Sequence, residues 1–513
     1  MSDLDKALQI FSRSGEEKAT KDQSQRIGVP YVNLVGYPFT PDVLSVVPRE
    51  EAVKYRVVSF FKLNDGVKVA TDSPSNPNLI PFLKQLSGAT RLKFYLYFCS
   101  KTSVEYGLAQ LEFVKEAPKT LERHVISQDD LKSKFAGASS LADIGQKIIQ
   151  TPVTDILDMV FAGAIHLEAS DIHIEPVENG SRLRFRVDGI LQDVAEIPKQ
   201  SYTAIKNRIK YLSKLKLNIT EEPQDGRFDI QIAQQVVDVR VSLMPGAWGE
   251  VIVLRLLNPS GAVISLQELG FREDALKLIE EAILKPNGAI FNTGPTGSGK
   301  TTTLYAILQK LNKPEIKIIT LEDPIEYRIE GIDQSQIKPD KNFDFANGLK
   351  HALRQDPDVI MVGEIRDQET AETALQASLT GHLVLTTLHT NSAPSSIPRL
   401  LDMGVKPFLL SGSINLVIAQ RLVRKTCLNC RGGATKANCQ NCKGTGFKGR
   451  VAIVETMKVT PKIEHLIQSS GSVTDYEKAA REDGMVTMLE DGLQKVREGI
   501  TTEEEVRRVA PSD

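Results

Sequence analysis

The sequence predicts an α/β protein whose C-terminal half is built on a mostly parallel sheet with helices on both faces. Three observations carry that expectation. From Gly288 onward, apolar strand-like segments alternate with helical ones, the pattern of a doubly wound sheet. Within that region Ala289–Asn292 runs into a glycine-rich turn that opens a helical segment, Thr302–Leu308. Ahead of it the texture is shorter strands mixed with a few helices, which reads as α+β.

Taken in order, residues 1–26 are polar and are expected to form a loosely held helix or tail. Residues 27–114 hold strand-like runs at 55–63, 67–71 and 92–99, enough for a small α+β domain without recognisable chemistry. Its boundary is set at 1–120. A charged, small-residue stretch follows, and 121–150 is expected to be a linker, partly helical. A second domain, 151–258, opens with an amphipathic helix over 153–167. It continues through strands at 171–175, 181–187, 236–243 and 251–257, with a helix over 201–217. The break Asn258-Pro-Ser-Gly261 begins the last domain, 259–513.

Composition narrows the function classes. The 513 residues carry 63 basic and 65 acidic side chains, a formal charge of −2, which excludes a polycation coating nucleic acid or membrane over its whole surface. The charged N-terminus lacks the apolar core of a secretory signal, and no apolar run approaches the ~20 residues of a membrane span. A cytoplasmic protein able to dock on membrane proteins is expected.

Of five cysteines, Cys99 stands alone, while Cys427, Cys430, Cys439 and Cys442 form C-x2-C-x8-C-x2-C. This paired spacing predicts a tetrahedral thiolate site for zinc, closed to catalysis because all four positions are filled by protein. A redox C-x-x-C pair or an iron–sulfur cluster are the alternatives. Between Arg421 and Arg450 lie eight basic residues and no acidic one, so zinc with four thiolates leaves the segment near +6. That charge also suits a nucleic-acid-binding zinc ribbon, although Phe447 is its single aromatic platform.

The chemistry concentrates around Gly294-Pro295-Thr296-Gly297-Ser298-Gly299-Lys300-Thr301, a complete G-x-x-x-x-G-K-[ST] followed by Thr302. Backbone N–H groups of such a loop cradle phosphates of ATP, with Lys300 reaching the β- and γ-phosphates and Thr301 holding Mg²⁺. Carboxylates just after strands complete such sites. Glu322, Asp323 and Glu326 follow one strand, and Glu364 ends Val359-Ile-Met-Val-Gly, a Walker B pattern with Glu in place of Asp. His389, after a third strand, is suited to sense the γ-phosphate, whereas His382 reads as structural.

These boxes, in this order, resemble the secretion superfamily of hexameric ATPases, specifically the assembly ATPases of type IV pili and type II secretion. The resemblance covers about 150–500 and includes Asp171-Ile-His173-Ile-Glu175-Pro176 followed by Arg182-x-Arg184-x-Arg186-x-Asp188-Gly189. Alternation puts Asp171, His173 and Glu175 on one strand face, and Arg182, Arg184 and Arg186 on one face of the next, predicting cross-strand ion pairs.

The resemblance implies a RecA-like P-loop ATPase domain carrying a zinc-binding insertion at about 424–450, preceded by a PAS-like α+β domain and a small N-terminal α+β domain. It also implies arginine fingers, best matched by Arg240 and Arg255, with Arg227 and Arg354 as further candidates. A homo-hexamer is implied, peripheral to the inner face of the plasma membrane, driving an inner-membrane platform protein and docking a cytoplasmic protein through the N-terminal domain, with no specific nucleic acid. The alternatives are a retraction or DNA-uptake motor and a zinc-ribbon nucleic-acid binder using ATP as a switch. The family's paired Arg-Leu-Gly motifs for a cyclic dinucleotide are reduced here to Arg26-Ile27-Gly28.

Overall fold

The computed structural model describes residues 3–63, 65–90, 92–114, 124–126, 140–232, 235–257, 264–433, 435–436 and 439–510. Its contacts divide the chain into two compact units, Met1–Asn258 and Pro259–Asp513. Most of the expected 121–150 linker lies outside the described residues.

The first unit holds two sheets. Strands β1 (Val57–Lys62), β2 (Gly66–Thr71) and β3 (Lys93–Phe98) form a three-stranded sheet in that order. Leu34, Phe39, Val57, Val67 and Val69 are fully buried in its core. The polar N-terminal segment forms a helix, Asp3–Ile27. It is tied down more than its composition suggested: Glu17 accepts from Ser100 Oγ at 2.7 Å, and Glu16 from Thr102 N–H at 3.2 Å, at the start of the helix Lys101–Val114.

The second sheet contains β4 (His124–Ile126), β5 (Asp171–Val177), β6 (Gly180–Val187), β7 (Ile190–Pro198), β8 (Gln224–Ile232), β9 (Gln235–Gly246) and β10 (Gly249–Leu257), ordered β4-β8-β9-β10-β5-β6-β7. The expected alternation is present: Ile172, Ile174, Leu183 and Phe185 are fully buried, and their polar neighbours share the other face. Arg184 pairs with Glu175 and Arg186 with Asp171, while Arg182 turns to Asp193 on β7.

Three differences from the sequence reading are physical. Leu141–Ile149 is helical, as expected for part of the linker, but its Ser140/Asp143 capping box and buried Ile144 and Ile148 make it part of the second domain's core rather than a connection. The helix placed at 153–167 spans Ile156–His166 and is buried from Met159 through Ala164, so it is a core helix rather than an amphipathic one. Strand β8 was missed because Phe228 and Ile230 are its buried apolar residues in an otherwise polar run.

The second unit is a seven-stranded sheet of β11 (Gly288–Thr293), β12 (Ile318–Glu322), β13 (Asp333–Gln336), β14 (Val359–Val362), β15 (Leu383–Leu388), β16 (Ile414–Thr426) and β17 (Phe447–Lys458). The order is β13-β12-β14-β15-β11-β16-β17, parallel except for the β16–β17 pair. Strands β11, β12, β14 and β15 are buried at every position, as a sheet covered on both faces requires. One apolar cluster joins Phe291, Leu321, Ile360 and Val384 with the C-terminal helices, and another joins Ile290, Leu304 and Tyr305 with the helix Glu273–Ile283.

Candidate active site and four-cysteine cluster

The loop after β11 lies at the carboxyl end of the sheet, where parallel strands present their ligands. Gly294, Gly297 and Gly299 have φ of 150°, 80° and 90°, and the helix Lys300–Leu311 starts directly from Gly299. A Cβ on Gly294 would stand 2.6 Å from both Gln420 O and Ser298 Oγ, and one on Gly299 2.7 Å from Gln420 Nε2, so β16 packs tightly under the loop. Ser298 is buried with its Oγ unpartnered, and Thr301 is exposed at the helix start. Such a cradle, with one orphaned hydroxyl and a helix N-terminus, fits an oxyanion.

Lys300 Nζ donates to Gly294 O at 2.8 Å and Pro295 O at 3.1 Å, folding back over the loop. Burial pulls its ammonium down to about 8, against the attraction of Glu364 and with the repulsion of Arg421. Glu364 follows β14 and His389 follows β15. Because β14, β15 and β11 are neighbours, the two side chains meet beside Lys300: His389 Nε2 is 3.3 Å from Glu364 Oε2, and Arg366 donates to Glu364 Oε1. The strand ends are locked by Ile365 N–H to Thr387 O at 3.0 Å and Thr387 Oγ1 to Gly363 O at 2.7 Å. Thr390 N–H donates to Thr293 Oγ1 at 2.9 Å, fixing the His389 loop to the end of β11.

The remaining acidic box divides. Asp323 stays partly exposed, with Arg366 Nη2 4.0 Å away, and Glu326 is exposed. Glu322, expected to support the metal, is instead turned inward. It is 3 % exposed and accepts from Tyr305 OH, from Thr320 Oγ1 at 2.5 Å and from Gln334 Nε2 at 3.1 Å, so both oxygens are taken up by the fold. Arg354 lies in the turn Leu353–Gln355 just before β14, at the amino end of the strands and away from the loop of its own chain.

In the first unit, Arg227, Arg240 and Arg255 occupy directly opposed positions on β8, β9 and β10, and Asp171 on β5 and Arg186 on β6 continue the row. Opposed residues share a face, so this row carries a surplus of positive charge. Buried Asp171 accepts from Arg255 Nε at 2.9 Å and lies 3.3 Å from Arg186 Nε. Its single negative charge is shared between two of the four arginines, and Asp238 interacts electrostatically with the other two, Arg240 and Arg227.

The cysteines sit in the loop at the tip of the β16–β17 ladder. Their four sulfurs lie within 4.8 Å of one another, with Cys427 and Cys439 3.8 Å apart and Cys430 and Cys442 3.6 Å apart. Sulfurs bound tetrahedrally at ~2.3 Å are ~3.8 Å apart, so the cluster has the dimensions of a four-thiolate metal site. Gly446 N–H donates to Cys442 Sγ and Asn441 Nδ2 to Cys427 Sγ, each at 3.3 Å, the donors that thiolates attract.

The finger is less basic than its sequence segment. Arg421 is 7 % exposed on β16, and Arg424 stacks 4.0 Å over Phe447 and pairs with buried Glu505 at 2.8 Å. Burial alone would raise the Glu505 carboxyl, but hydrogen bonds from Arg508 and Arg424 bring it down to about 2. Gln420, Arg421 and Asn391 are the neighbours of the phosphate loop that the sequence reading did not assign. Their signal was the polar pair Gln420-Arg421 interrupting the apolar run Ile414–Val423.

Backbone donors, a half-buried lysine and a carboxylate held at strand ends are what cleavage of a nucleoside triphosphate needs, and they make the second unit a P-loop nucleotide hydrolase. The chain belongs to the Type II/IV secretion system protein family, whose model matches residues 147–508, and an MshEN domain matches residues 27–134. It is 37% identical over 516 residues to the type IV pilus assembly ATPase PilB of Myxococcus xanthus, covering 96% of this chain and 90% of that one. It is 46% identical over 387 residues to the type II secretion system protein HxcR of Pseudomonas aeruginosa, covering 75% and 82%. Among solved structures, the ATPase DotB of Legionella pneumophila aligns with a TM-score of 0.54 at 26% identity, over 69% of this chain and 94% of that one.

Proposed function

We propose that this chain is the ATP-driven motor that assembles a type IV pilus or a type II secretion pseudopilus. The observation that carries the reading is the meeting of Lys300, Glu364 and His389 at three adjacent strand ends, within a chain matched over 96% of its length by a pilus assembly ATPase. In this reading residues 294–302 hold the phosphates of ATP, Lys300 neutralises the β- and γ-phosphates, and Glu364 orients the attacking water. Thr301 is the protein ligand for magnesium, with Asp323 and Glu326 supporting the metal site. Magnesium supplies charge neutralisation at the phosphates when bound. Glu322 positions Tyr305 and Gln334 rather than the metal. His389 holds Glu364 and reports the γ-phosphate.

Arginines 240 and 255 act as fingers from the second domain, and Arg354 serves the site of an adjacent subunit in a homo-hexameric ring. Closure of the second domain on ATP and release after hydrolysis turn the inner-membrane platform protein. The four cysteines hold zinc and stiffen the finger, and the N-terminal domain docks a cytoplasmic partner. No helix among the described residues is long and apolar enough to cross a membrane. In this reading the motor works as a peripheral subunit at the inner face of the plasma membrane, as the assembly-ATPase resemblance implies.

The test is genetic complementation. Deleting the gene should abolish either surface pili or secreted proteins, and the Lys300→Ala variant should fail to restore them. Restoration by Lys300→Ala would refute the motor reading.

A further inference from the structure

We propose that Arg421 is an additional phosphate-binding cation of the ATPase site, and that it rests on Asn391 until nucleotide arrives. The proposal rests on the nucleotide-hydrolase reading and adds to it a residue outside the four sequence boxes. Strand β16 lies next to β11 and carries Arg421 directly under the phosphate loop. The side chain is 7 % exposed, yet its guanidinium forms no ion pair among the described residues. Its hydrogen bonds go to Gln420 O at 3.1 Å, Asn391 O at 3.2 Å and Asn391 Oδ1 at 3.3 Å.

A buried guanidinium with only neutral acceptors is costly and calls for an anion. Glu455 attracts the guanidinium from the neighbouring strand without forming an ion pair with it, and its hydrogen bonds go to backbone donors. Glu455, in register with Ala419 on the neighbouring strand, accepts from Ala393 N–H at 2.6 Å and from Met488 N–H at 3.3 Å. On its other side Arg421 meets the loop itself: Nη1 would stand 3.2 Å from a Cβ on Gly294, so glycine is what lets the guanidinium reach the loop backbone. Its positive field also reaches Lys300. Two cations thus flank one cradle that already contains an orphaned Ser298 hydroxyl.

Asn391 gives this arrangement its second role. It lies two residues after His389, and Ala393, held by Glu455, lies two residues further on. The loop carrying His389 is therefore pinned at Asn391 by Arg421 and at Ala393 by Glu455. Phosphate oxygens are stronger acceptors for guanidinium than an amide oxygen. When they bind, Arg421 transfers its Nη2 bonds from Asn391 to the phosphates and releases Asn391, while Thr390 keeps His389 anchored to Thr293 at the end of β11. Glu455, also bonded to the first residue of the helix Met488–Arg497, connects the same loop to the C-terminal helices.

The probe is inorganic tripolyphosphate with magnesium, which has the phosphates and no base. Thermal unfolding of the full chain is followed with and without it, for wild type, Arg421→Gln, Arg421→Lys and Lys300→Ala. Wild type should gain several degrees. Arg421→Gln should unfold no earlier than wild type without the probe, because an unpaired buried charge has been removed, and should lose most of the gain. Arg421→Lys should recover part of it, and the Kd for ATP should rise at least tenfold in Arg421→Gln. A merely structural arginine would instead lower the melting temperature without the probe and leave the gain intact, which overturns the proposal. Should Arg421→Gln not fold, a wild-type gain and wild-type Kd in Arg421→Lys would overturn it equally. If wild type itself gains nothing, the nucleotide reading fails; if Lys300→Ala loses the gain and Arg421→Gln keeps it, this proposal alone fails.

Discussion

His389 Nε2 stands 3.3 Å from Glu364 Oε2, so the residues that end two neighbouring parallel strands touch beside the lysine of the phosphate loop. The pair is aligned by the backbone beneath it, since Ile365 N–H donates to Thr387 O. One Glu364 oxygen is held by His389 and the other by Arg366. A carboxylate fixed in this way can point a water molecule at a phosphoryl group without first paying for its own ordering.

Replacing Glu364 by Gln preserves the shape and both neighbours while removing the charge. Single-turnover hydrolysis of labelled ATP should slow by ~10²–10⁴ and ATP affinity should change little, because the lost group acts on water rather than on phosphate. His389→Ala should slow hydrolysis less, since Arg366 still holds Glu364. Wild-type turnover in Glu364→Gln would remove this residue from the reaction.

Affinity for ATP should fall as pH rises above about 8, the value to which burial lowers the Lys300 ammonium in the free protein. Below that pH the free protein already carries the proton that phosphate binding needs. Above it a proton must be taken up on binding, and the bound lysine, stabilised by phosphate, stays charged. The loss should be about tenfold per pH unit until the bound-state pKa is reached. Calorimetry in two buffers of different ionisation enthalpy measures the proton uptake directly. Uptake near zero at pH 9 with unchanged affinity would contradict the assignment.

How far the sequence was legible follows from which signals are local. The glycine loop, Glu364 and His389 were readable because each closes an apolar strand with polar residues, and parallel strands bring such ends together. Glu322 satisfied the same rule and still turned inward, because Tyr305, Thr320 and Gln334 come from three other places and only the fold brings them to its two oxygens. Arg421 was counted into the finger's charge because sequence proximity to Cys427 is visible and proximity to Gly294 is not. The ladder β16–β17 separates these neighbours: it carries the cysteines to its tip while Arg421 stays at the level of the phosphate loop. Strand β8 escaped for want of apolar residues, although its Arg227 stands opposite Arg240.

One equivalent of zinc per chain should co-purify and survive gel filtration, because four thiolates at the spacing of a tetrahedron leave no easy exit. Elemental analysis of Cys430→Ser should show that metal lost. Removal should lower the melting temperature, since Cys427 and Cys442 are buried at the base of the finger, but basal hydrolysis should persist because the cluster lies outside the phosphate cradle. Iron in the analysis, or a metal-free protein whose cysteines pair on oxidation, would exclude zinc.

The arginine row offers a way to separate structural from catalytic loss. Arg255 is half exposed but donates to Asp171, whose carboxylate is buried, so Arg255→Ala removes one of two charged donors and should cost stability on the order of 1 kcal/mol. Arg255→Lys keeps a cation beside Asp171 and should unfold near the wild-type temperature. A finger acts through the planar fork that spans two phosphate oxygens, and lysine cannot reproduce it. Hydrolysis in Arg255→Lys should therefore fall by ~10² or more at near-normal stability and nucleotide affinity, the signature of charge stabilisation in the transition state. If Arg255→Lys hydrolyses ATP normally while Arg255→Ala is merely less stable, the residue holds Asp171 in the sheet and the finger must be sought at Arg240 or Arg227, the next two positions of the same row.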